Sequence, residues 1–129
     1  MDLLHIALQY PSEEKADIFF NKILGLKSKK QFKITSNLSE QLFGINKNIR
    51  VKLFSNNGIC FEIFITGIKM EQKKRYDHFC LMVNDKKNLV AKCKKYRTRI
   101  YIIKKDKKEF MFIKDNVGYL YEIKEPSRS

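Results

Sequence analysis

Cys60-Phe61-Glu62-Ile63-Phe64 places one carboxylate inside an apolar strand, and Leu120-Tyr121-Glu122-Ile123 does the same near the end of the chain. Side chains alternate along a strand, so Glu62 shares a face with Cys60 and Phe64, and Glu122 with Leu120 and Lys124. Working outward, each strand closes a similar series of elements. Before Glu62 come an apolar run Leu3–Leu8, a helix over 12–24, a weak strand Lys29–Ile34, a strand Val51–Phe54, an Asn56-Asn57-Gly58 turn and a strand Ile59–Ile65. Ser12 suits the helix cap, Glu13 and Glu14 suit its first turn, and Gly25 suits a left-handed stop. The stretch 35–48 is polar and poorly periodic, with Leu42, Phe43 and Ile45 as a packing patch.

Before Glu122 the same order returns. A strand Tyr76–Val83 precedes a helix capped by Asn84 or Asp85, with Leu89, Val90, Cys93 and Tyr96 on its apolar side. Strands Ile100–Ile103 and Glu109–Ile113 follow, joined by a Lys107-Lys108 turn; a turn over 115–118 leads to Tyr119–Ile123. The expected fold is α+β: two βαβββ modules, 1–67 and 76–125, joined by a polar linker 68–75 and followed by a polar tail from Pro126. Neither module can bury both faces of its own sheet. Two curved sheets side by side predict one domain spanning 1–129, an open barrel-like trough around a metal site.

The chain has only two histidines, and both fall in the repeat. His5 lies in the first strand of module one and His78 in the first strand of module two. A lone carboxylate facing such a trough is costly to desolvate unless it is paired or metal-bound. Two imidazoles and two carboxylates at matched positions suit one divalent ion, Ni, Co, Zn, Mn or Fe, with His5, Glu62, His78 and Glu122 as ligands. Tyr10, Phe64, Cys80, Met82 and Phe112 are candidates for the pocket lining, though each also reads as ordinary core.

Composition narrows the partners. The 129 residues carry 27 basic and 14 acidic side chains, a net charge of +13, and 43 % are hydrophobic. The excess is mostly lysine, without the interleaved aromatics of a single-strand binding surface, so nucleic acid is not the expected partner. The basic field suits an anionic small molecule. Cys60, Cys80 and Cys93 form no CxxC pair, which argues against a thiolate zinc knuckle and a disulfide scaffold. The N-terminus resembles no signal peptide and no apolar run has membrane-spanning length, so a cytoplasmic protein without membrane contact is expected.

At its four candidate ligands the chain resembles the vicinal oxygen chelate superfamily, over residues 3–124. Phe19-Phe20-Asn21-Lys22-Ile23-Leu24-Gly25-Leu26 is similar to the family helix ending in Leu-Gly. Phe112–Glu122 is similar to its closing hairpin, with Asn116 in place of a common Pro. The resemblance implies paired βαβββ modules around one metal, and the full His, Glu, His, Glu set is nearest to lactoylglutathione lyase. It implies a lyase or isomerase of the glyoxalase type, with proton transfer next to a metal-bound carbonyl or enediolate. Glu122 is the first choice of base and Glu62 the second. Gln9 stands near the position of a glutathione-binding Arg, and Ile63–Thr66 lacks an Asn found there in those lyases. Glutathione is therefore a doubtful substrate, and another thiol adduct, an acyl-CoA thioester or a small α-hydroxycarbonyl fits as well. The alternatives are a dioxygenase or thiol transferase of the same fold, or a non-catalytic drug-binding protein of the bleomycin-resistance type. The resemblance also implies a homodimer, with the site within one chain or across a two-fold axis.

Overall fold

The computed structural model describes residues 1–71 and 74–127. Residues 72 and 73 of the expected linker, and 128 and 129 of the expected tail, lie outside them. The chain divides into two compact units, Met1–Met70 and a second beginning at Glu71. Each is built on a four-stranded mixed sheet that does not close.

The first unit contains β1 (Ile6–Tyr10), α1 (Glu13–Ala16), β2 (Lys27–Ile34), α2 (Ser36–Phe43), β3 (Ile49–Ser55) and β4 (Cys60–Ile65). Its sheet order is β1-β4-β3-β2, with β1 and β4 parallel and the other pairs antiparallel. Ser12 Oγ caps α1 by accepting from the Lys15 N–H at 3.2 Å, as its position in the sequence predicts. The helix then widens into a π-helical segment, Asp17–Ile23. The Leu24 N–H reaches back five residues to the Phe19 carbonyl at 2.9 Å, and Gly25 ends the turn at φ +75. This segment buries Phe19, Phe20 and Ile23 against the sheet. The Phe20 ring lies 5.2 Å from Tyr10, 5.4 Å from Phe54 and 4.9 Å from Phe61.

The stretch 35–48 departs from the expectation. It contains α2, capped by Thr35 and closed by Gly44 at φ +73. The expected packing patch of Leu42, Phe43 and Ile45 is largely exposed. The helix is short and set by its caps, so its weak apolar period hid it. Tyr10 is likewise core and not pocket lining, since it points to the helix side of the sheet with no exposed surface.

The second unit contains β5 (Phe79–Met82), α3 (Lys86–Lys95), β6 (Arg99–Lys105), β7 (Lys108–Lys114) and β8 (Leu120–Lys124). The sheet order β5-β8-β7-β6, with β5 and β8 parallel, repeats the first sheet strand for strand. Asp85 caps α3, accepting from the Asn88 N–H at 3.0 Å. Leu89 and Cys93 bury its inner side. The β6–β7 turn is Asp106-Lys107, one residue earlier than expected, and both residues have positive φ, 51 and 65. Asp115 organises the β7–β8 turn. Its Oδ1 accepts from the N–H groups of Val117, Gly118 and Tyr119 at 3.0, 2.8 and 2.8 Å, and its Oδ2 from the Tyr121 hydroxyl at 3.1 Å. No helix among the described residues is long and apolar enough to cross a membrane.

Candidate functional site

Both histidines stand one residue ahead of their strands, not within them. β1 begins at Ile6, which pairs with Phe61, the second residue of β4. β5 begins at Phe79, which pairs with Tyr121, the second residue of β8. By register each histidine is level with the first residue of its parallel partner strand, Cys60 for His5 and Leu120 for His78, one step past the last paired residue of the ladder. The two imidazoles therefore stand at matching places just off the strand starts.

The carboxylates match as well. Glu62 is opposite Ala7 on one side and Leu53 on the other. Glu122 is opposite Cys80 and Phe112. Each histidine precedes by two residues the strand residue facing its glutamate, so the pair shares one sheet face.

In the first unit His5 Nε2 lies 3.3 Å from Glu62 Oε2. Two donors each about 2.1 Å from one ion in tetrahedral arrangement stand about 3.4 Å apart, so this pair has the spacing of two ligands to one metal. The Glu62 side chain is 17 % exposed and His5 50 %, an open edge beside a sheltered carboxylate. Phe64, two residues on, packs against Phe43 of α2 with ring centroids 5.5 Å apart.

In the second unit His78 Nδ1 is 2.8 Å from the Tyr76 carbonyl. A carbonyl only accepts, so Nδ1 carries the proton and Nε2 keeps the lone pair a metal needs. The ring lies 5.9 Å from Phe112. Glu122 Oε2 accepts from Cys80 Sγ at 3.5 Å and lies 3.8 Å from Lys124 Nζ. Partial desolvation, then the hydrogen bond and charge of Glu122, push the Cys80 thiol up, while Lys124 pulls it down. Cys80 is therefore a protonated donor here. Desolvation, then Glu62, pushes Cys60 up in the same way. His78 and Glu122 share no hydrogen bond or ion pair with each other among the described residues.

Neither unit, among the described residues, gathers three or more His, Cys, Asp or Glu side chains at one point. Each holds one imidazole and one carboxylate. The donor types and the His78 tautomer fit a divalent ion of the borderline class. Lys124 lies beside Glu122 on the face that strand alternation assigns to both.

The backbone is similar to solved structures of one superfamily. The fosfomycin resistance protein FosX from Listeria monocytogenes superposes with a TM-score of 0.71 at 14 % identity, covering 98 % of this chain and 94 % of that one. A glyoxalase family protein from Bacillus cereus gives 0.72 at 14 %, covering 95 % and 92 %. The trypanothione-dependent glyoxalase I of Leishmania major gives 0.68 at 18 %, covering 97 % and 86 %. The chain has the fold of the vicinal oxygen chelate superfamily, two βαβββ modules. Identities this low show architecture alone. No protein-family model and no curated protein matches the chain in sequence. Listeria FosX has also been solved with Mn(II) and sulfate.

Proposed function

We propose that this chain is a divalent-metal-dependent lyase or isomerase of the glyoxalase type, acting on a small molecule at a carbon next to a carbonyl. His5, Glu62, His78 and Glu122 are the ligands, one imidazole and one carboxylate from each unit. The observation that carries the reading is the repeated rung: a histidine one residue before a parallel strand, two residues ahead of the position facing a glutamate. A bound divalent ion supplies Lewis-acid stabilisation of charge developing on the substrate oxygen.

The protein's own groups do the rest. His5 and His78 stay neutral ligands, and the Tyr76 carbonyl holds His78 in the correct tautomer. Glu122 takes the substrate proton and returns it to the neighbouring carbon. Glu122 is preferred over Glu62 because Lys124, 3.8 Å away, compensates its charge when it turns from the ligand position. Gln9 and the Asn-free stretch 63–66 argue against glutathione.

A second reading is a resistance protein acting on or sequestering a drug. The likeness to FosX and the exposed Tyr101, Phe110 and Met82 of the second unit favour it.

Elemental analysis of protein purified without added metal or chelator tests the first reading. About one equivalent of Ni, Co, Zn, Mn or Fe is expected, lost in His5→Ala and in His78→Ala. No uptake on reconstitution would overturn it. Glu122→Gln should retain metal yet lose substrate-dependent exchange of carbon-bound hydrogen with solvent; full exchange would remove Glu122 as base.

A further inference from the structure

The structure assigns a phosphoryl-binding subsite to Arg97, Arg99 and Lys114 in the second unit. Together with Asp115 and Asn116 these side chains border a cavity of about 200 Å³. Whole-ligand pockets run to about 300–1,000 Å³, so this space suits one group of a ligand better than an entire molecule.

Charge selects the group. Among the described residues no carboxylate partners Arg97, Arg99 or Lys114. The Asp115 carboxylate is 4 % exposed and engaged by three backbone N–H groups and the Tyr121 hydroxyl. Three cations against one carboxylate leave two net positive charges, which match a phosphoryl dianion and exceed what a single carboxylate neutralises. Two guanidinium forks and an ammonium also suit an oxyanion with three acceptor oxygens.

Backbone geometry is an independent sign. Arg97 adopts φ +58 at the end of α3. The Thr98 N–H reaches the Cys93 carbonyl at 2.8 Å and the Arg97 N–H the Lys94 carbonyl at 3.3 Å, the paired bonds of a Schellman stop. That position normally belongs to glycine. Here an arginine takes that strained conformation, and it borders the cavity.

Register connects the cavity to His78 and Glu122. Arg99 pairs with Lys114, and Lys114 with Leu120, on one rung. Glu122 is two residues beyond Leu120, on the same face and about 7 Å along the strand. His78, one step before the Phe79–Tyr121 pair, stands level with Leu120. A phosphoryl group at Arg99 and Lys114 would hold a small phosphorylated substrate with its carbonyl end towards Glu122. That substrate role rests on the metal reading, whereas the anion site does not.

The test uses the full-length, metal-free protein and inorganic phosphate at fixed ionic strength, read by amide NMR shifts. Saturable shifts are expected at Arg97, Arg99 and Asn116, with acetate binding at least tenfold more weakly. Arg99→Gln and Lys114→Gln should each weaken phosphate tenfold or more. Lys104→Gln, which removes one charge from the same strand outside the cavity, should change it less than twofold. Equal losses in all three variants, or unsaturable shifts spread over the basic surface, would overturn the subsite and leave only the general positive field. Acetate binding as tightly as phosphate would overturn the phosphoryl assignment. Metal uptake is measured separately on the same preparation. Phosphate binding without uptake sinks the metal reading alone, and uptake without phosphate binding sinks the subsite alone.

Discussion

Glu62 and Glu122 occupy the same rung of two separate sheets, each facing a parallel first strand two residues beyond a histidine. On the parallel side Ala7 faces Glu62, but Cys80 faces Glu122 and donates to it at 3.5 Å. If the thiol is only a donor, Cys80→Ala gives Glu122 the same first-strand neighbour as Glu62 at no cost in metal. Elemental analysis of the variant should still give about one equivalent. A fall below half would make the sulfur a ligand. Cys80 is exposed, so the stability change should stay within about 0.5 kcal/mol by urea unfolding.

The fold was legible because punctuation and pattern agreed. Ser12, Gly25, Asp85 and the apolar stripe of Phe19, Phe20 and Ile23 all act as their residue types predict. The four candidate ligands were legible because two histidines and two strand carboxylates fell at equal places in a repeat. What stayed hidden depends on pairing, not on local pattern. That His5 and His78 stand one residue outside their strands shows only in the β1–β4 and β5–β8 pairing. Arg97 and Arg99 are far from Lys114 in a lysine-rich sequence, and only the β6–β7 register brings Lys114 beside Arg99.

Lys52 is the one strongly sheltered cation of the first unit's sheet, 11 % exposed at the side chain. Its Nζ lies 2.7 Å from Asp17 and 3.9 Å from Glu13, both on the helical segment. Asp17→Ala leaves that charge with the longer contact alone. A loss of about 1–2 kcal/mol is expected, below the cost for a fully buried pair because Asp17 is partly solvated. Lys52→Met, which fits the Phe54 ring beside it, should cost less than Asp17→Ala. Urea midpoints of the two variants check this order, and the reverse order would refute the account.

Burial raises the Cys93 thiol from 9.0 to about 11. Between those values the unfolded chain has released the proton while the folded chain still holds it. The unfolded state therefore binds fewer protons, and stability must fall as pH rises through that window, levelling off above it. The loss from this group is at most about 3 kcal/mol, and almost none of it occurs below pH 8. Cys93→Ala should flatten the profile between pH 9 and 11 while lowering stability throughout by removing a buried side chain. The thiol should also resist an aqueous disulfide reagent at pH 8 in the folded state, whereas exposed Cys80 reacts.

Arg97 and Lys107 are both cations at positive φ, +58 and +65, but only Arg97 borders the cavity. Glycine at either position removes one positive charge and relieves the left-handed strain, at some cost in unfolded-chain entropy. Each substitution should therefore stabilise the fold by about 1 kcal/mol, read as a higher urea midpoint at unchanged slope. Their effects on phosphate should separate. Lys107→Gly leaves binding within twofold, because its hairpin lies at the far end of β6 from Arg99. Arg97→Gly weakens binding tenfold, giving a more stable protein that has lost an anion contact. If both substitutions weaken phosphate equally, net charge and not the cavity accounts for binding. If Arg97→Gly fails to stabilise, the arginine is held by contacts that outweigh its backbone strain, and the strain argument for its role falls.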